Sequence, residues 1–178
     1  MHCADAGIPA HGASGKGRTP GVPARDGVRA VVNDDCVFCR IIGGMETVSI
    51  VYEDDRVIAF MDIQPVAPGH TLVVSKDHYK TLFDLPDALA AHCLGVARRL
   101  APGIRKAAGA EALNVFSANG RAGGQDVEHF HFHLIPVKQE ADFPLHLPLA
   151  DAPIPSRSQL DVMAVRIGRA IQETASAA

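Results

Sequence analysis

Apolar residues fall into five short runs along the chain, and these runs predict β-strands. Gly, Pro, Asn and Asp, which are typical of turns, bound the runs. The last run is the longest and the most strand-like. The five runs cover residues 49–53, 57–60, 70–75, 112–117 and 127–137.

Three other stretches space their apolar residues as α-helices do. A short helix is expected after 33–35, whose Asn and Asp residues favour a helix start, and it should end at Gly43-Gly44. A central helix is expected to begin near Asp87, and Pro102-Gly103 should kink or interrupt it. A third helix is expected over about 159–172. The apolar positions that define the first two helices are Phe38, Ile41, Ile42, Leu89, Cys93, Val96 and Leu100.

The order of these elements predicts an α+β fold. Short links between the early strands favour antiparallel pairing. We therefore expect an antiparallel sheet of about five strands with a central helix and a C-terminal helix. Residues 1–33, rich in Gly, Pro, Ala and Arg, are expected to be a flexible tail. The folded domain is assigned to 34–140, and a C-terminal extension with one helix to 141–178.

Composition and charge limit the function classes. The 178 residues are 47% hydrophobic and 21% charged, with a formal net charge of −3. Because there is no basic excess, we expect no nucleic acid and no membrane as partner, and any phosphate must be held by a local site. No apolar run is long enough to span a membrane, and the first residues lack the features of a secretory signal. Four cysteines in a chain of this length indicate reduced thiols, which favours the cytoplasm.

The segment His129-Phe130-His131-Phe132-His133 places three histidines at alternate positions. On a strand their imidazoles share one face at a spacing of about 7 Å, and the phenylalanines lie on the other. The residues alone leave three interpretations: histidines with ordinary structural partners, a zinc site, or a nucleophile that attacks phosphorus. A phased triplet in a chain with nine histidines fits the first of these poorly.

A glycine-bearing loop, 119–126, comes directly before the histidine segment. Such a loop can direct several backbone N–H groups toward one anion, although many glycine-rich loops are plain connections. Its position beside three histidines favours phosphate chemistry.

These motifs resemble the histidine triad (HIT) superfamily, whose signature alternates histidine with apolar residues three times. The resemblance covers about 35–136 and is greatest to the bacterial histidine triad nucleotide-binding branch. Besides the segment 129–135, it includes Tyr52-Glu53-Asp54, the segments 59–63 and 68–74, and Gly124-Gln125-Asp126-Val127.

The resemblance implies a half-barrel-like sheet, a homodimer that extends it, and a nucleotidyl-histidine intermediate. His131 would be the nucleophile, with His133 and His70 lining the phosphate site and orienting it. Asp62 would hold the ribose hydroxyls of a purine nucleotide. The other implied nucleotide contacts, in the base pocket and the phosphate loop, are Val37, Phe38, Ile41, Phe60, Ile63, Asn119, Gln125, Asp126 and Val127. Without the resemblance, the apolar residues among them would be interpreted as core and Asp62 as a turn cap.

Cys36 and Cys39 form a Cys-x-x-Cys pair, which alone is ambiguous between zinc and redox chemistry. The resemblance implies that His78 and His129 complete a structural zinc site. That assignment would remove His129 from the chemistry. The alternative is a pair of buried thiols beside a surface histidine. Cys3 and Cys93 are not expected to take part.

Two positions depart from the family pattern. Asp126 stands where eukaryotic members carry a serine, so a carboxylate replaces a hydroxyl donor near the leaving group. Val137 replaces a basic residue that commonly follows the Ile-Pro pair.

The expected function is hydrolysis or transfer at the α-phosphate of nucleoside phosphoramidates or dinucleoside polyphosphates, with release of a nucleoside monophosphate. One alternative is a nucleotide-binding regulatory protein with little turnover. Another is a metal-dependent hydrolase with zinc held by all three histidines of the triad. Residues 143–155 carry no pattern that we can interpret.

Overall fold

The computed structural model describes residues 33, 35–139 and 154–176. The predicted tail, apart from Asn33, lies outside the described residues, as does most of the segment between the sheet and the last helix. The elements are α1 (Val37–Ile42), β1 (Ile50–Glu53), β2 (Val57–Met61), β3 (Thr71–Ser75), α2 (Asp87–Ala108), β4 (Ala112–Phe116), a 3₁₀ turn (Arg121–Gly123), β5 (His131–Val137) and α3 (Arg157–Ser176).

The five strands form one sheet in the order β1-β2-β3-β5-β4, and every neighbouring pair is antiparallel. The last strand therefore lies inside the sheet, between β3 and β4. Its register pairs His131 with Val74, and His133 with both Leu72 and Phe116. This arrangement confirms the predicted α+β class and the five antiparallel strands.

Each face of the sheet carries its own apolar cluster. Because strand side chains alternate, Val57 and Val73 pack with α2 on one face, while Ile58 and Val74 pack with α1 on the other. Burial on both faces explains why β2 and β3 are continuous apolar runs and not alternating ones. The histidines of β5 share the α1 face with Leu72 and Val74, opposite α2.

A polar contact joins α2 to the turn between β1 and β2. One carboxylate oxygen of Asp54 accepts hydrogen bonds from the backbone N–H groups of Arg56 and Val57, and the other lies 2.8 Å from Tyr52 Oη and 2.8 Å from Nε2 of His92 on α2. Although burial acts to raise it, these hydrogen bonds hold the pKa of Asp54 well below its usual range. The contact fixes the orientation of α2 over the sheet.

Two predictions about helices were wrong in detail. α2 runs unbroken through Pro102, because the residues on both sides of the proline, Val96 and Ala97 before it and Ile104 after it, are buried against the sheet. The cap of α1 is Cys36, which makes no side-chain cap hydrogen bond, and Asn33 Oδ1 accepts instead from the Asp35 N–H. Tertiary contacts, not local capping, hold both helices in place.

The last strand is also shorter than predicted. β5 begins at His131, so His129 lies in a bend before the strand and does not share its pleat. In contrast, α3 is longer than predicted, and its side chains over 157–174 are exposed. Within the described residues, no helix has the length and apolar character needed to cross a membrane.

Candidate active site

A cavity of about 490 Å³ opens on the α1 face of the sheet, and His131, His133 and His70 line it. Eight further residues predicted for the nucleotide site also line it. They are Val37, Phe38, Ile41, Phe60, Asp62, Ile63, Asp126 and Val127.

His70 and His133 form the end of a directional hydrogen-bond chain. The backbone N–H of Val66 donates to His70 Nδ1 at 3.2 Å, and His70 Nε2 lies 2.9 Å from His133 Nδ1. Burial lowers the pKa of His70, and it lowers that of His133 to about 4, so both are neutral at pH 7. Because His70 Nδ1 accepts a hydrogen bond, the ring proton of His70 is on Nε2, and this N–H donates a hydrogen bond to His133 Nδ1. His133 then holds its own proton on Nε2.

The nearest carboxylate does not reverse this chain. Asp62 Oδ2 lies 3.5 Å from His70 Nδ1, too far for a strong hydrogen bond, and Asp62 Oδ1 accepts from the Gln64 N–H at 2.8 Å.

His131 is held in the opposite tautomer. Its Nδ1 lies 2.7 Å from the backbone carbonyl oxygen of His129, so Nδ1 carries the proton. Nε2 is then unprotonated and has an available lone pair. Burial lowers the pKa of His131, which keeps it neutral at pH 7. The ring of Phe38 packs edge-on against it with centroids 5.1 Å apart. His131 is thus an oriented, neutral imidazole with one available lone pair.

Two residues that contact the histidines of the site were not predicted. Phe116, the last residue of β4, stacks on His133 with centroids 4.5 Å apart and planes at 12°. The Val66 amide fixes the tautomer of His70. Neither belongs to a motif, and only the pairing of β4 with β5 would have pointed to Phe116.

Asn119 and Gln125 lie outside the cavity. Asn119 Oδ1 accepts from the Leu82 N–H, and its amide donates to the Ser117 carbonyl. Gln125 is buried. Its Oε1 accepts from the Gly120 N–H, and its Nε2 donates to the carbonyls of Lys80 and Val127. Both amides therefore brace the loop, and Gly124 of the same loop lines the cavity.

The charged lining of the cavity is acidic. Asp62 and Asp126 contribute carboxylates, and no lysine or arginine is among the described residues that line it. An anion bound there must be held by N–H donors and histidines, because no cationic side chain of this part of the chain faces it.

The four predicted metal ligands converge beside the cavity. His129 Nδ1 lies 3.4 Å from Cys36 Sγ, 3.6 Å from Cys39 Sγ and 3.2 Å from His78 Nδ1, which is 3.3 Å from Cys39 Sγ. A tetrahedral zinc ion with ordinary bond lengths needs edges of about 3.3 Å between nitrogens and about 3.6 Å between nitrogen and sulfur. The donor set and its spacing therefore fit zinc.

His129 is oriented as metal-binding histidines usually are. Its Nε2 lies 2.7 Å from the Ser75 carbonyl, which places the proton on Nε2 and leaves the lone pair of Nδ1 for a metal. Burial lowers the pKa of His129 to about 4. With both nitrogens of His129 engaged here, the three histidines of the triad do not converge on one point, which argues against the hypothesis of a triad-bound catalytic metal.

Residues 45–140 match the family model of the HIT domain. The chain belongs to the HIT domain family. The adenosine 5′-monophosphoramidase HNT1 of Saccharomyces cerevisiae is 39% identical over 111 residues, which cover 62% of this chain and 68% of the yeast protein.

Solved structures of similar proteins share this HIT fold. A crystal structure from Streptococcus mutans matches with a TM-score of 0.74 and 32% identity, covering 82% of this chain and 91% of that one. A zinc-bound histidine triad family protein from Mycobacterium smegmatis matches with a TM-score of 0.60 and 32% identity, covering 65% and 84%.

Two of the four candidate metal ligands lie inside the match to the HIT family model. His78 and His129 lie inside the matched residues, whereas Cys36 and Cys39 precede them.

Proposed function

We propose that this protein is a nucleotide hydrolase of the HIT kind, which acts at the α-phosphate through a nucleotidyl intermediate on His131. The observation that carries the proposal is the 2.7 Å contact from His131 Nδ1 to the His129 carbonyl, because it leaves the lone pair of Nε2 as the nucleophile. The yeast relative, named as a monophosphoramidase, supports this reaction class.

In the first step the Nε2 lone pair of His131 forms a bond to phosphorus, and the bond from phosphorus to the leaving group breaks. The leaving group departs with the electron pair and takes a proton from water. The His129 carbonyl stabilises the positive charge that develops on the His131 ring. The N–H of His133 donates to a phosphoryl oxygen.

In the second step water attacks phosphorus and loses a proton, which neutralises the hydroxide that remained when the leaving group took its proton from water. The bond between phosphorus and His131 Nε2 breaks, the lone pair returns to the ring, and a nucleoside monophosphate leaves. Dividing one displacement into two makes each barrier lower, and the hydrogen-bond chain through His70 keeps His133 in the same tautomer in both steps.

The lining of the cavity supports a purine nucleoside as the bound group. Phe38, Ile41 and Phe60 supply an apolar wall, and the Asp62 carboxylate can accept hydrogen bonds from ribose hydroxyls. Of the two substrate classes, the acidic lining favours nucleoside phosphoramidates. A dinucleoside polyphosphate would place several further negative charges near Asp126, in a cavity whose described lining has no lysine or arginine.

We also propose a structural zinc ion held by Cys36, Cys39, His78 and His129. The ligand spacing supports it, as does the zinc-bound relative from Mycobacterium smegmatis. Such an ion would act structurally: it would cross-link α1 to the segment that follows β3 and to the bend before β5.

The intermediate can be tested directly. Wild-type protein is mixed with an adenosine phosphoramidate, quenched in acid-free denaturant and examined by mass spectrometry. We expect a nucleotidyl adduct on His131 and, in His131→Ala, loss of the adduct with a fall in turnover of at least about 10³-fold. His92→Ala changes a histidine on the opposite face of the sheet and should keep both.

Two results would contradict the proposal. Full turnover in His131→Ala would exclude His131 as the nucleophile. Tight nucleotide binding without turnover or adduct in the wild type would favour the alternative, a nucleotide-binding regulatory protein.

A further inference from the structure

One four-residue segment contributes both to the proposed zinc ligands Cys36, Cys39, His78 and His129, called the metal cluster below, and to the nucleotide cavity. Cys36 and Cys39 offer two of the four ligand atoms, and Val37 and Phe38, between them, line the cavity. All four lie at the start of α1, a helix of six residues that lacks a side-chain cap. A helix this short has little stability of its own, so its position depends on tertiary contacts.

His129 makes a second connection. Its imidazole belongs to the metal cluster through Nδ1, and its backbone carbonyl accepts the hydrogen bond from His131. The group that sets the tautomer of the proposed nucleophile is thus part of a proposed metal ligand, and the Ser75 carbonyl fixes the ring of that ligand.

Phe38 contacts both the proposed metal ligand His129 and the proposed nucleophile His131. Its ring contacts His129 at 5.8 Å, His131 at 5.1 Å and Phe60 at 5.6 Å between centroids, each edge-on. A displacement of α1 would therefore change the wall of the cavity and the packing of His131 together.

We infer that metal binding and nucleotide binding are positively coupled in this protein, and that Phe38 is the positioning residue that couples them. The inference rests on the proposed function and on the proposed zinc ion. A bound zinc ion would hold Cys36 and Cys39 close to His78 and His129. Phe38, between the two cysteines, would then stay in position to contact a nucleotide base. A nucleotide that packs on Phe38 holds α1 in the same position, which favours the metal.

The coupling has a thermodynamic consequence that can be measured from both ends. If zinc raises nucleotide affinity by some factor, the nucleotide must raise zinc affinity by the same factor. We expect a factor of about ten, within the range found for coupled sites.

The experiment compares zinc-loaded protein with protein stripped by a chelator. Binding of adenosine monophosphate is measured by calorimetry in both forms, and zinc affinity is measured by chelator competition with and without saturating adenosine monophosphate. The expected result is an equal shift of about tenfold in both measurements. Replacing zinc with cobalt(II) allows a further measurement on the folded, metal-loaded protein. If the sites are coupled, adenosine monophosphate should change the visible absorption bands of the bound cobalt.

Two matched variants locate the coupling. Phe38→Leu and Phe60→Leu each shorten a buried aromatic wall of the same cavity, but only Phe38 lies between the cysteines and contacts the histidines. We expect both variants to bind nucleotide more weakly and to keep zinc. Phe38→Leu should lose the reciprocal shift and the cobalt response, and Phe60→Leu should keep them.

The outcomes distinguish the three proposals. Equal nucleotide affinity with and without zinc, or an unchanged cobalt spectrum, overturns the coupling and leaves the function intact. A coupling that survives in Phe38→Leu overturns the role of Phe38. Failure to bind zinc overturns the metal site and the coupling with it, whereas failure to bind nucleotide in either form overturns the proposed function.

Discussion

The partner of one ring nitrogen determines what the other nitrogen of each triad histidine can do. Because a carbonyl accepts from His131 Nδ1, the lone pair of that ring is on Nε2. Because His133 Nδ1 accepts from His70, the N–H of His133 is on Nε2. The Ser75 carbonyl on His129 Nε2 leaves a lone pair on Nδ1 for the proposed metal. We therefore propose three different roles for these three identical side chains, because their backbone and histidine partners differ.

The lowered pKa values of these histidines predict how stability depends on pH. The pKa of His133 is lowered to about 4 in the folded protein, below the usual value near 6.5, so folding favours its neutral form. Its contribution to stability is therefore complete above about pH 6.5 and is lost as the pH falls toward 4. We expect the free energy of unfolding, measured with urea, to decline across this window.

His133→Gln supplies the control for that prediction. The variant lacks the titrating ring, so its stability should decline less steeply between pH 6.5 and 4. Parallel profiles for the two proteins would show that His133 does not contribute to the decline.

Asp126 is expected to select the leaving group. Its carboxylate lines a cavity whose described lining contains no lysine or arginine, so it should repel anionic leaving groups bound there. In Asp126→Asn we expect kcat/KM for diadenosine polyphosphates to rise about 3- to 10-fold relative to that for an adenosine phosphoramidate, because the residue is exposed and water screens its charge. Unchanged relative values in the variant would show that Asp126 does not select.

The motifs predicted most of the site because they are local in sequence. They placed His131 and His133, His70 and the ribose-binding candidate Asp62 around one cavity. They did not predict Phe116, which approaches His133 only through strand pairing. Nor did they show that the side-chain amide of Gln125 accepts from the Gly120 N–H and donates to the Lys80 carbonyl, since hydrogen-bond partners depend on the folded backbone.

At the scale of elements, α2 is the helix that the fold most depends on and also one that contains poor helix formers. It carries Gly95, Pro102 and Gly103, yet remains unbroken over 22 residues because one face is buried against the sheet. Packing here outweighs local propensity.

Two glycines of this helix region should respond to alanine with opposite signs. Gly103 lies inside α2 and a Cβ there would meet nothing within 4 Å, so Gly103→Ala should raise the free energy of unfolding by about 0.5–1 kcal/mol. Gly109 ends the helix with φ of +61°, so Gly109→Ala should lower it by about 1 kcal/mol. Urea titration measures both, and shifts of the same sign would contradict the argument.

Element types were predictable from the sequence, but the start of β5 and the continuity of α2 were not. The alternation of histidine and phenylalanine continues through 129–133, so the pattern alone extends the strand to His129. At His129 the chain is outside the strand, and the His129 ring is held by the Ser75 carbonyl and packs against His78 and the two cysteines. Proline at 102 likewise marks a break that burial on either side prevents.

At the scale of the whole molecule, the two edges of the sheet are of interest. β1 forms one edge and β4 the other, and each exposes a valine to the same extent, Val51 at 42% and Val115 at 42%. The family resemblance predicts that a second copy of the chain extends the sheet, and β4 is the edge beside His133.

The matched valines test that prediction. We expect the wild-type protein to sediment as a dimer and Val115→Lys to shift it toward the monomer, because a charged edge residue opposes strand pairing. Val51→Lys should leave the dimer intact. A monomeric wild type, or dissociation caused by Val51→Lys alone, would contradict the assignment of the interface to β4.

The interior position of β5 also determines when an active protein can exist during synthesis. The ribosome releases β3 and β4 before the strand that lies between them, so the inner edge of β3 stays unpaired until residues 131–137 emerge. Until then the nascent core also lacks Phe130 and Leu134, and an open apolar edge of this kind invites association with other chains. The strand that completes the fold is the same strand that carries the proposed nucleophile, so no folding intermediate without β5 can carry out the chemistry.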